Sequence, residues 1–143
     1  MWSRAYIAQV LTISGVAHVA LTVRNLPKSE TWYHQVLGFD RVHEIHERHF
    51  DAVVLGQAES GLTISLRQHH GASTARFDET RTGLDHVALA VGDRQDLDRW
   101  VAQLDELHVE HSPVTDAGWG SVVVLRDPDH IQLELCCPTT PAE

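Results

Sequence analysis

One pattern occurs twice in this chain and limits what it can become. Gly15-Val16-Ala17-His18-Val19-Ala20-Leu21-Thr22-Val23 returns as Gly83-Leu84-Asp85-His86-Val87-Ala88-Leu89-Ala90-Val91. The offset that carries His18 onto His86 also carries Gly15 onto Gly83, Leu21 onto Leu89, Val23 onto Val91 and Trp32 onto Trp100. Self-similarity at a fixed offset means one supersecondary unit used twice. In each copy apolar β-branched residues alternate with small or polar ones, which reads as a strand. Strand side chains alternate between faces, so each histidine shares a face with the alanine two positions on, Ala20 or Ala88.

The rest of each half follows the same plan. After a first strand at Val16–Val23, Asn25 can cap a helix and Pro27 suits its first turn. Ser29, Trp32, Tyr33, Val36 and Leu37 recur at three and four, giving an amphipathic helix that Gly38 ends. Phe39–Ile45 and Phe50–Leu55 read as a hairpin, and Leu62–Arg67 as a further strand. In the second half a strand spans Leu84–Val91, and Asp93 with Asp96 forms a helix-capping pair. Leu97, Trp100, Val101, Leu104 and Leu107 make the apolar face of the helix. Strands follow at Val109–Val114, Ser121–Leu125 and Ile131–Leu135, with Arg126-Asp127-Pro128-Asp129 as a tight turn. The expected organisation is an arm at 1–14, a βαβββ unit at 15–69, a polar linker at 70–82, a second βαβββ unit at 83–138 and a tail at 139–143.

Composition narrows the partners. In 143 residues there are 11 basic and 20 acidic side chains, a formal charge of −9, with no basic cluster. That argues against nucleic acid or an anionic membrane surface. No apolar run approaches a membrane span. The start of the chain is too short and polar for a signal-peptide core. The only cysteines, Cys136 and Cys137, are adjacent, which is no disulfide framework, so the expected location is the cytoplasm.

The chemistry centres on His18, His86 and Glu134. The repeat aligns Val123-Val124-Leu125 with Val53-Val54-Leu55 and, with one residue less in the turn, Leu133-Glu134-Leu135 with Ile64-Ser65-Leu66. Glu134 therefore stands in mid-strand where the first unit has Ser65. An unpaired carboxylate in such a strand is costly, so it needs a partner. Two imidazoles and a carboxylate on rigid strands suit a facial triad for Fe, Mn, Zn, Ni or Co, with open positions for substrate. The bland alternative is a pair of hydrogen-bonded core histidines.

His-Val-Ala-Leu-x-Val after a glycine, twice, followed by Asp127-Pro128-Asp129-His130-Ile131-Gln132-Leu133-Glu134, resembles the vicinal oxygen chelate superfamily. That group includes glyoxalase I, fosfomycin-resistance proteins, methylmalonyl-CoA epimerase, extradiol dioxygenases and bleomycin-resistance proteins. The resemblance covers about Gly15 to Pro138. It implies an α+β fold of two βαβββ units whose mixed sheets curve into a cup. It also implies metal ligands at His18, His86 and Glu134. The fourth family position, a carboxylate or glutamine in glyoxalase I, falls on Ser65, a poor ligand. A tyrosine frequent in other branches is Val124 here, and a threonine of the fosfomycin thiol transferases is Ala20.

Around the cup, Thr63, Ser65 and Arg67 share a face by alternation. Either Arg67 binds a carboxylate, phosphate or enolate oxygen, or it neutralises Glu134 or points to solvent. His69 continues the parity, as a proton shuttle or as a surface residue. Trp119, between Gly118 and Gly120, can close over a ligand or simply pack at an edge. Ser65, Arg67 and Trp119 are thus the candidate substrate contacts, with Arg67 and His69 as candidate catalytic groups. His43, His46 and His49 with Glu44 and Glu47 form either a second metal patch or a solvated hairpin tip. The expected function is a divalent-metal-dependent enzyme acting on a small oxygen-chelating substrate by lyase, isomerase, transferase or dioxygenase chemistry. Its rival is a metal-free small-molecule or antibiotic-binding protein. The resemblance further implies a homodimer with shared sites, His18 from one chain and His86 and Glu134 from the other.

Overall fold

A computed structural model describes residues 11–139. The elements are β1 (Val19–Thr22), α1 (Leu26–Leu37), β2 (Asp40–His46), β3 (Phe50–Gly56), β4 (Thr63–His69), β5 (Val87–Ala90), α2 (Arg94–Glu106), β6 (Thr115–Ala117), β7 (Gly120–Arg126) and β8 (Gln132–Pro138). They build two four-stranded mixed sheets, ordered β1-β4-β3-β2 and β5-β8-β7-β6. In each, the first strand runs parallel to the last and the other pairs are antiparallel. This is the α+β fold of two βαβββ units. Most of the N-terminal arm and of the tail lies outside the described residues.

The helix ends form where local chemistry places them. The Asn25 side chain accepts from the Lys28 N–H, and Asp93 accepts from the Asp96 N–H. Gly38 closes α1 in the left-handed conformation, φ 72°. The first strands begin later than expected, at Val19 and Val87 rather than Val16 and Leu84. The reason is register: Val19 pairs with Ile64 and Val87 with Leu133, and β4 and β8 start only one residue earlier. The strand expected at Val109–Val114 is also displaced, to Thr115–Ala117. Pro113 has no N–H for a ladder. Upstream of it the chain is tied to β7 by one bridge, His111 to Leu125, and by Ser112, whose N–H donates to the Val124 carbonyl while its hydroxyl accepts from the Val124 N–H.

Both sheets turn their apolar face to one shared core. Leu21, Val53, Leu55, Ile64 and Leu66 of the first sheet and Val123, Leu125, Leu133 and Leu135 of the second are buried with Tyr33, Leu37, Leu97 and Leu104 of the helices. Ala20, Thr22, Ser65 and Arg67, and likewise Ala88, Ala90, Glu134 and Cys136, occupy the opposite faces. Burying these side chains is the main driving force of the fold.

The units are also clasped by polar groups. The turn between β7 and β8 inserts Asp127 and Asp129, both buried, against α1. Tyr33 donates its hydroxyl to Asp127 Oδ2 at 3.0 Å, and the N–H groups of Asp129 and Ile131 donate to Asp127 Oδ1. Arg24 donates from Nε to Asp129 Oδ1 at 2.6 Å and from its backbone N–H to Oδ2. The segment expected as a linker lies against this turn. The Phe77 N–H donates to the Asp129 carbonyl, and Glu79 accepts from Arg126 at 2.6 and 3.1 Å.

Burial pushes the Asp127 carboxyl up to about 6, against the lowering effect of its three hydrogen bonds. Burial and the neighbouring Asp127 push the Tyr33 phenol far above its ordinary range. Two outcomes follow. Tyr33→Phe leaves Asp127 Oδ2 short of a donor and lowers unfolding free energy by about 1–2 kcal/mol, measured by urea titration. The folded chain also holds a proton on Asp127 at pH values where the unfolded chain has released it. Stability from this group is therefore fullest below the unfolded pKa of 3.8 and falls as pH rises towards about 6, by about 3 kcal/mol at most. The wild-type minus Asp127→Asn difference in unfolding free energy should decline over that window; a flat difference refutes the assignment.

Candidate functional site

The two repeat histidines sit at equivalent places, each just before its strand and on the face away from the core. The glycine three residues before each has a positive φ, 158° at Gly15 and 144° at Gly83. A side chain tolerates the latter conformation poorly, which explains the glycine ahead of the histidine.

His86 and Glu134 meet. Glu134 stands in β8 opposite Ala88 on one side and Val124 on the other. Ala88 is small and leaves room above it. The carboxylate is 16% exposed, and its Oε2 lies 3.5 Å from His86 Nε2. The other imidazole nitrogen, Nδ1, donates to Asp85 Oδ1 at 2.6 Å. The Asp85 hydrogen bond, with Glu134 behind it, holds the His86 pKa above its ordinary value despite partial burial. The same negative field favours any cation at Nε2, metal or proton.

These donors suit a divalent ion. Ligand atoms each about 2.0–2.2 Å from a metal, at roughly a right angle, stand about 3 Å apart, close to the spacing found. An Nδ1–H held by a carboxylate is the usual arrangement behind a metal-bound imidazole. Among the described residues no group of three His, Cys, Asp or Glu side chains converges on one point. His18 is exposed and lies away from the pair. The reason is topological: β1 and β5 are edge strands of separate sheets and do not pair with each other. Among the described residues each keeps one edge without a strand partner.

The matching face of the first sheet carries the other candidates. Ser65 is buried, and among the described residues neither its Oγ nor the buried Nε of Arg67 has a hydrogen-bond partner. Arg67 does not reach Glu134. Its Cζ lies 4.4 Å from the centre of the Phe50 ring, a cation–π contact that steadies the guanidinium without neutralising it. His69 is exposed, its ring centroid 5.7 Å from that of Phe50. Trp119 is 60% exposed in the turn between β6 and β7, where its carbonyl accepts from the Thr139 N–H.

The histidine-rich hairpin is an ion-pair patch. Asp51 accepts from His46 Nδ1 at 2.8 Å and from His70 Nε2 at 2.9 Å, and Glu44 lies 3.2 Å from His46 Nε2. The Asp51 bond raises the pKa of both histidines, and they lower that of Asp51. Sequence reasoning passed over Asp85 and Phe50. Asp85 had a signal, since the first copy has Ala17 in its place; Phe50 had none, because its contact with Arg67 depends on β3 pairing with β4. A groove of about 790 Å³ lies elsewhere, between α1, residues 107–112 and β7, and includes none of His18, His86 and Glu134.

Comparison with known proteins agrees with this architecture. The model of the Glyoxalase/Bleomycin resistance protein/Dioxygenase superfamily matches residues 15–135. The chain belongs to that superfamily, the vicinal oxygen chelate proteins. The crystal structure of a glyoxylase/bleomycin resistance protein/dioxygenase domain from Frankia sp. EAN1pec is 34% identical, covers 92% of this chain and 96% of its own, and superposes with a TM-score of 0.84. An uncharacterized Bacillus subtilis protein, YwkD, is 27% identical over 128 residues, 87% of this chain and 98% of its own. A variant of the fosfomycin resistance protein FosX from Listeria monocytogenes, complexed with Mn(II) and a dihydroxypropylphosphonic acid, shares the fold at 19% identity and a TM-score of 0.67, over 90% of this chain and 95% of its own.

Among the described residues Glu134 has one charged neighbour, His86, 3.5 Å away, too weak a contact to offset the cost of burying a carboxylate. Glu134→Gln should leave the melting temperature unchanged or raise it, and Glu134→Leu should raise it by the equivalent of about 1 kcal/mol. A fall of several degrees in both variants would mark Glu134 as a structural residue.

Proposed function

We propose that this protein is a divalent-metal-dependent enzyme that acts on a small substrate through two neighbouring oxygens. The observation that carries the reading is the His86–Glu134 pair, whose donor atoms stand at metal-ligand spacing on a face no core residue uses. His18, at the equivalent place on the other unit, is the natural third donor. Because the chain keeps His18 apart from the pair, we assign it to a second copy. In the resulting homodimer the open edge of β1 lies beside the open edge of β5 from the partner chain, and two equivalent centres form. The FosX variant's Mn(II) supports Mn(II) as a resident ion. Fe, Zn, Ni and Co suit the same donors.

A bound divalent ion would act as a Lewis acid towards the two substrate oxygens. The chain supplies the rest. Arg67, fixed over Phe50 and without an ion-pair partner among the described residues, would hold a carboxylate or phosphate of the substrate. Ser65 stands beside Arg67 on the same face and offers its unpartnered hydroxyl. His69, at the exposed end of that strand, can carry a proton to or from solvent. Trp119 is free to fold over the entrance. The reaction is of the lyase, isomerase, transferase or dioxygenase kind. Among the described residues no helix is long and apolar enough to cross a membrane. With two unbridged thiols, we place the enzyme's work in the cytoplasm.

Metal content by mass spectrometry, in protein purified without chelator, tests this. About one ion per chain is expected, lost in His18→Ala, His86→Ala and Glu134→Ala. Heterodimers made from His18→Ala and His86→Ala chains should regain one ion per dimer, because one of their two centres is intact only if His18 acts across the interface. A monomer with one ion per chain overturns the shared centre. Protein that takes up no metal even on reconstitution overturns the enzyme reading and leaves a ligand-binding cup.

A further inference from the structure

We infer that Asp85 is a positioning residue of the metal-binding centre, orienting His86 so that its Nε2 faces the ion, and that the two histidine ligands are unequal for this reason. The inference rests on the reading of His86 and Glu134 as metal ligands. Two observations carry it.

The first is the geometry. Asp85 Oδ1 lies 2.6 Å from His86 Nδ1. A carboxylate can only accept, so Nδ1 carries the proton, and a neutral imidazole then has its lone pair on Nε2. That nitrogen faces Glu134. A single contact thus fixes both the tautomer and the ring orientation that a metal requires.

The second is the break in the repeat. Gly15 matches Gly83 and His18 matches His86, but Ala17 stands where Asp85 stands. No hydrogen bond to a described residue orients the His18 ring. One imidazole is pre-set and the other must be set by the ion. Pre-set ligands lose less freedom when the ion binds. The pair on the second unit therefore captures the ion, and His18 closes on it afterwards.

The experiment is Mn(II), and separately Zn(II), titrated calorimetrically into the metal-free full-length protein, wild type against Asp85→Ala and Asp85→Asn. It is joined to the imidazole 15N spectrum of the metal-free protein at about pH 9, where histidine is neutral. Asp85→Ala should weaken binding about 10- to 100-fold, the range seen when such supporting partners are removed. Asp85→Asn keeps an acceptor oxygen and should recover part of the loss. The His86 signal should show an Nδ1-protonated tautomer in the wild type and a mixture in Asp85→Ala. Melting temperatures should not change, because Asp85 is exposed. If Asp85→Ala binds both ions as tightly as the wild type, Asp85 does not position the ligand, and the metal reading stands without it. If the wild type binds neither ion, the metal reading itself fails and this inference falls with it.

Discussion

The way the two units meet depends on an Asp-Pro-Asp turn of one that is buried against a helix of the other. Asp127 receives the Tyr33 hydroxyl and Asp129 receives Arg24. The apolar core joins the two sheets, but hydrophobic contact is non-directional and would tolerate a range of relative positions. Hydrogen bonds to a buried carboxylate are not tolerant. Leaving either aspartate without its partner would strand a polar group in the interior. The clasp therefore turns a shared core into one defined arrangement, at the cost of a carboxyl that desolvation drives towards protonation. Phe77 and Glu79 add to it from the intervening segment, and through Arg126 the same scaffold reaches the His86 side of the sheet.

Because the core side of each sheet is turned inward by this clasp, the chemistry-bearing faces are turned away from it. The sheets share no strand pairing, and β1 and β5 are left as outer edges. On the second unit His86 and Glu134 therefore stand 3.5 Å apart, while His18 on the first unit joins no cluster with them. Open strand edges are normally blunted or covered in stable proteins. Covering both with the partner's complementary edge would remove the edges and complete the donor set in one step, which is why the proposed dimer and the proposed metal centre are one hypothesis.

The two copies have diverged in the places where chemistry asks for it. Glu134 replaces Ser65, and Asp85 replaces Ala17, so acidic groups gather around His86 and not around His18. The first sheet took the other role. Its Arg67 is steadied by an aromatic ring and has no counter-ion among the described residues, where the Ser65 hydroxyl also lacks a partner. In the proposed site the acidic groups of one unit would favour a cation and Arg67 of the other an anionic group of the substrate.

The sequence by itself determined the elements and the repeat, and it singled out His18, His86 and Glu134 as candidate donors, since these depend on local chemistry. Alternation sets which residues share a face, Asn25, Asp93 and Gly38 set the helix ends, and the matched positions of His18, His86 and Glu134 follow from the duplication. It misplaced the strand before β7, because Pro113 and Ser112 answer to the neighbouring strand and not to their own hydrophobicity. It read Asp127 and Asp129 as turn residues, which they are, but gave no sign of their burial. That depends on Tyr33, Ser29 and Arg24, about a hundred residues away along the chain. Only the tertiary structure decided that Arg67 lies over Phe50 and not beside Glu134, and that His18 stays apart from His86. Those outcomes depend on strand pairing and on the packing of one unit against the other, long-range choices that no local pattern encodes.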